Sequence, residues 1–137
     1  AIKFDFFYLI ISILRKFITS TSCVYQKDRI IGRLLSFMFV GRQNIKNIIT
    51  LSQSMQSFFS VVYPNSNLFD YQHGLISNIY DGYAENNKIA ATILQNNVKL
   101  LLHGKEVKEK LIAIDGGEYF IENSIVVGAP YLKLKNK

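Results

Sequence analysis

Lys27, Arg29, Arg33, Arg42 and Lys46 carry the chemistry this sequence offers most plainly, the binding of phosphate. An arginine fork holds phosphate oxygens two at a time, and a lysine neutralises them as a point charge. The placement of charge is lopsided. Up to Ser57 there are eight basic residues against Asp5 and Asp28, a net of +6, whereas from Phe58 onward eight lysines balance eight carboxylates. All four arginines lie in the first part. A polyanion gripped by that part accounts for the pattern. For Lys27, Arg29 and Arg33 alone, the solvated basic face of a surface helix is the plainer reading. Their concentration beside Arg42 and Lys46 favours phosphate.

No catalytic constellation accompanies these cations. His73 and His103 are the only histidines, and neither has metal or nucleophile spacing. The single cysteine, Cys23, sits among Ser and Thr as a small passive residue. Asp115, before Gly116-Gly117, occupies a position where α/β enzymes place working carboxylates. Without a phosphate-cradling glycine loop, however, turn chemistry explains it better. We therefore expect no enzyme, no cofactor and no metal.

The elements that must position the basic residues follow from periodicity. At 137 residues and 49% apolar, the chain is large enough for a real core. Phe4 to Leu14 reads as a short helix, with Asp5 near its start and Arg15-Lys16 at its end suiting the dipole. Only nine residues lie between Asp5 and Arg15, too few to span a bilayer. The stretch RKFITSTS also has the composition of an organellar targeting segment, but a retained basic arm is preferred. Val24 to Leu35 reads as an amphipathic helix. Phe37 to Val40 reads as a strand, Gly41 to Asn44 as a break, and Ile45 to Leu51 as a second apolar run. Thr50 and Gln53 have capping-box spacing before a helix with Met55, Phe58, Phe59 and Val62 on one side, closed by Pro64.

Beyond Pro64, NSN and LFDYQH read as a loop and Gly74 to Tyr80 as a strand. Ile89, Ala90, Ile93 and Leu94 have helical spacing. Val98 to Leu102, Leu111 to Asp115 and Ile125 to Ala129 read as strands, and Lys105 to Lys110 as a charged connection. Strands that are apolar throughout and alternate with helices predict an α/β domain. The expected layout is a mostly parallel sheet with helices on both faces, Rossmann-like but reduced, over residues 37–137, preceded by a basic helical arm over 1–36. Because only nine residues separate Asp115 from Ile125, an antiparallel meander over 111–129 stays open.

The stretch Phe37-Met38-Phe39, Arg42-Gln43, Ile45-Lys46, Ile48-Ile49-Thr50-Leu51, Gln53-Ser54 resembles the bacterial-type second protein of the small ribosomal subunit, in a divergent organellar form. That family's pattern runs close to aromatic-Ile-Phe-Gly-x-Arg-Asn-x-Ile-His-Ile-Ile-Asp-Leu, and Asn47 is one extra residue here. Ser22-Cys23-Val24-Tyr25 stands where the family has His-Phe-Gly-His, and the chain has no tryptophan. The resemblance implies a non-catalytic constituent of a mitochondrial small subunit. Its partners would be ribosomal RNA and neighbouring small-subunit proteins, with Lys27, Arg29, Arg33, Arg42 and Lys46 at phosphates. A second resemblance, over residues 59–129, is to the epsilon (mitochondrial delta) subunit of F-type ATP synthase. It rests on Phe59, Pro64, Phe69-Asp70 and the run Lys110 to Gly116, and implies a β-sandwich over residues 58–137.

Overall fold

The computed structural model describes residues 2–39, 45–51, 53, 55–72 and 82–128. Two compact units emerge, one of Ala1–Lys46 with Met55–Ser66 and one of Asn47–Ser54 with Asn67–Lys137. The first unit is helical: α1 (Ile2–Phe17), α2 (Val24–Leu35), a 3-10 turn (Ser36–Phe39) and α3 (Gln56–Val62). The second holds a parallel sheet of β1 (Asn47–Leu51), β2 (Asn67–Tyr71), β5 (Val98–Leu102) and β6 (Ser124–Val126), in that order. It also holds an antiparallel hairpin, β3 (Ala84–Glu85) with β4 (Lys88–Ile89), and helices α4 (Ala91–Asn96), α5 (Lys105–Ile112) and α6 (Tyr119–Glu122). The class is α/β, a four-stranded parallel sheet flanked by helices in Rossmann-like βαβ order.

Register fixes the two faces of the sheet. Leu68 pairs with Val98, Asp70 with Leu100, and Leu100 with Ser124, and all of these are buried. With Leu102, Ile93, Leu111, Ile114 and Phe120 they form the core of the second unit. The opposite face is less covered, with Ile49 63% and Ile125 50% exposed. The order β1-β2-β5-β6 steps in one direction only. Parallel crossovers are right-handed, so connections that keep stepping the same way fall on the same side of the sheet. The α4 and α5–α6 connections therefore cover one face.

Several elements depart from the expected ones. Phe37 to Phe39, expected in a strand, are not in one: α2 runs on into the 3-10 turn, where the Ser36 hydroxyl donates to the Arg33 carbonyl at 2.8 Å, and Val40 lies outside the described residues. The capping box does not form. Thr50 lies in β1 and donates to the Asp70 carboxylate at 2.9 Å, and α3 begins only at Gln56, after Met55 in the left-handed region at φ 62°. Leu68 to Tyr71, expected in a loop, lie in β2, their polar look arising from Asp70, which is wholly buried. The helix expected around Ile89 is half hairpin, because Asn86 and Asn87 take φ of 52° and 61°, the conformation a two-residue hairpin turn demands. Leu111 to Asp115 is not a strand, since the charged Lys105–Lys110 run is itself helical and continues to Ile112, burying Leu111, with Ile114 buried just beyond the helix end. β5 and β6 are parallel, so the antiparallel meander and the β-sandwich over 58–137 are both replaced by an α5–α6 crossover. The expected strand over 74–80 lies outside the described residues.

Asp70 is the polar hub of this sheet. One oxygen accepts from Thr50 Oγ1 at 2.9 Å and Gln53 N at 3.0 Å, the other from Tyr83 Oη at 2.7 Å. A buried carboxylate is tolerated only with such donors. Tyr83→Phe should cost about 1–3 kcal/mol in urea denaturation, by leaving one carboxylate oxygen short of a partner. On the crossover, the Tyr119 hydroxyl donates to the Val98 carbonyl at 3.0 Å, and burial pushes its pKa above the ordinary 10.0. The folded state therefore holds this proton more tightly than the unfolded chain does. That contribution is fully present below pH about 10 and is lost as pH rises past it, so Tyr119→Phe should flatten the alkaline fall in stability.

Candidate nucleic-acid interface

The basic residues of the first unit are positioned by α2, whose buried stripe is Asp28, Ile31 and Gly32. A Cβ at Gly32 would lie 3.1 Å from the Phe58 carbonyl oxygen and 3.3 Å from Val61 Cβ, so glycine lets α2 and α3 approach closely. Beside it, Asp28 is only 4% exposed. Arg15, from the end of α1, meets it as a fork, with Nε 2.6 Å from one carboxylate oxygen and Nη2 2.7 Å from the other. The same Nη2 lies 3.6 Å from the Met55 sulfur. Lys27 Nζ donates to the Arg15 carbonyl at 3.0 Å and so closes the last turn of α1. Three cationic and anionic side chains thus tie α1 to α2.

This arrangement separates the residues expected at phosphate. A helix advances about 100° per residue, which sets Lys27 and Arg29 roughly 160° apart and Arg29 and Arg33 about 40° apart. Lys27 lies on one flank of the buried stripe, half-buried and engaged with α1. Arg29, half-buried, and Arg33, exposed, share the other flank one turn apart. Lys46 is exposed immediately before β1. Arg42 lies outside the described residues. The geometry of Arg29 and Arg33 suits two neighbouring phosphates of one strand, or one phosphate held from two turns.

Sequence reasoning missed the Arg15–Asp28 fork. Its signal was present: an acid at i−3 and i−4 from Ile31 and Gly32 falls on the buried side of an amphipathic helix, where it requires a cation. Nor was Asp70 recognised, although Thr50, Gln53 and Tyr83 converge on it near the carboxyl ends of β1 and β2, the edge where open α/β sheets bind ligands. Its acceptor sites are filled by those three donors, which makes it a brace. Asp115 ion-pairs with Lys88 at 3.2 Å, both side chains largely exposed, and its backbone bonds to Ile89 and Asn87, a parallel bridge to β4. Among the described residues, no group of His, Cys, Asp and Glu is placed to hold a metal ion, and no helix is long and apolar enough to cross a membrane.

Compared with known proteins, the chain matches no family model, no curated protein and no solved structure. Its reading therefore rests on the residues themselves. Arg15→Ala, which strands the Asp28 carboxylate, should cost about 3 kcal/mol in urea denaturation. The pair Arg15→Met with Asp28→Leu should recover most of that loss, because removing both charges also removes their desolvation cost.

Proposed function

We propose that the chain is a non-catalytic, RNA-binding structural constituent of the small subunit of a mitochondrial ribosome. The observation that carries this reading is the cationic excess of the first unit, eight basic residues against Asp5 and Asp28. Asp28 is neutralised within the fold by Arg15, and Arg29, Arg33, Lys16 and Lys46 remain at least partly exposed. A net charge of +6 on 137 residues, concentrated on a helical unit, matches a surface that neutralises backbone phosphates. Contacts of this kind position folded RNA without reading its bases.

In this reading Arg29 and Arg33 are the principal phosphate ligands on α2, and Lys46 extends them. Arg42 keeps its place from the sequence resemblance. Lys27 contributes chiefly by holding α1 against α2, so its loss acts on the shape of the basic surface. Neighbouring ribosomal proteins are the other partners. The motor-subunit alternative implied a β-sandwich over residues 58–137, and the parallel strand pairs β2–β5 and β5–β6 of this region do not fit that fold.

The test is the salt dependence of binding to structured ribosomal RNA. Each phosphate contact contributes about 0.7–0.9 to the slope of log affinity against log salt. Arg33→Ala with Lys46→Ala should lower that slope by about 1.5 and weaken binding alike for different RNA sequences. An unchanged slope would contradict the proposed face.

A further inference from the structure

The second unit carries a surface that the basic helical face does not explain. On the less covered side of the sheet, Phe69 and Tyr71 stand two residues apart on the inner strand β2, both half-buried. Side chains at i and i+2 point the same way, about 6.6 Å apart along a strand. Lys99 is the register partner of Phe69, its Nζ 6.0 Å from the ring centroid, and it donates to Asn67 Oδ1 at 3.3 Å. Asn67 in turn donates to Asn47 Oδ1 at 3.1 Å. The Tyr71 ring meets His103 edge-on, with centroids 5.2 Å apart. Among the described strand residues that point to this side there is a lysine and no carboxylate, since Asp70 faces the core.

We propose that this sheet face binds single-stranded RNA by stacking. Two aromatic rings on one strand offer platforms for two successive unpaired bases, and every base has a π-face, so the binding tolerates sequence. Lys99 supplies the positive charge that complements the strand's phosphates, and the Asn47–Asn67 pair supplies amide donors and acceptors for base edges. The exposed Ile49 and Ile125 flank the rings as apolar margin. A protein partner would use the same apolar area but would gain nothing from ring planarity. The inference rests on the RNA-binding reading above but places a second contact on a separate surface, for unpaired rather than folded RNA.

The experiment is fluorescence anisotropy with the full chain, comparing a labelled oligouridine of about ten nucleotides with a duplex of equal length. Phe69→Leu and Tyr71→Leu keep apolar bulk but remove the ring, and each should weaken single-strand binding about fivefold while leaving duplex binding unchanged. Tyr71→Phe should bind as the natural chain does. Ultraviolet cross-linking of the natural chain should place adducts on Phe69 or Tyr71, which holds whether or not the variants fold. Leucine variants that bind normally, or adducts confined to the helical unit, would overturn the stacking face. So would self-association of the chain that Ile49→Glu abolishes, which would assign the face to a second copy. Duplex binding without single-strand binding sinks this inference alone; binding of neither RNA sinks the ribosomal reading as well.

Discussion

Asp28 is the constraint around which the helical unit is arranged. An ionised carboxyl that is 4% exposed between two helices is tolerable only with a cation in bidentate contact, and Arg15 meets that requirement from the end of α1. The consequences run in both directions. Structurally, the fork and the Lys27 bond to the Arg15 carbonyl turn two amphipathic helices into one fixed surface. Electrostatically, they remove the one acid that α2 would otherwise set against its own arginines. Arg29 and Arg33 lie on the flank of α2 away from Lys27, half-buried and exposed respectively.

A second constraint shapes the other unit. Its sheet never reverses direction among the described strands, so no point appears where strand order switches and a crevice opens for a nucleotide. One-directional winding instead leaves one side of the sheet partly open. The core side is conventional, with Val98, Leu100 and Leu102 alternating into it and Asp70 satisfied by three donors. The open side is where the fold retains aromatic rings within reach of a partner. In the proposed reading, the helices meet folded RNA and the sheet face meets unpaired RNA.

Much of this architecture was legible in the chain itself. The α2 boundaries, the Met55-Phe58-Val62 stripe, the stop at Pro64 and the strand Val98–Leu102 follow from periodicity and punctuation, because burial alone decides them. The failures share a cause. Asp70 made a buried strand look like a loop, and Thr50 looked like a helix cap, because their partners come from segments distant in sequence. Local spacing also cannot tell that Asn86 and Asn87 both adopt positive φ, or that Gly104 opens a helix through a charged run rather than a strand beyond it. For the candidate site, composition located the cations, but only geometry separates Lys27, spent on α1, from Arg29 and Arg33 on the opposite flank.

We propose that a cationic helical unit anchors this chain on ribosomal RNA. Sedimentation of a mitochondrial lysate through a density gradient, followed by detection of the native chain, tests it most directly. The account predicts co-migration with the small ribosomal subunit, lost on ribonuclease treatment and weakened by high salt. Migration with the ATP synthase, or free at the top of the gradient while small subunits remain intact, would contradict it.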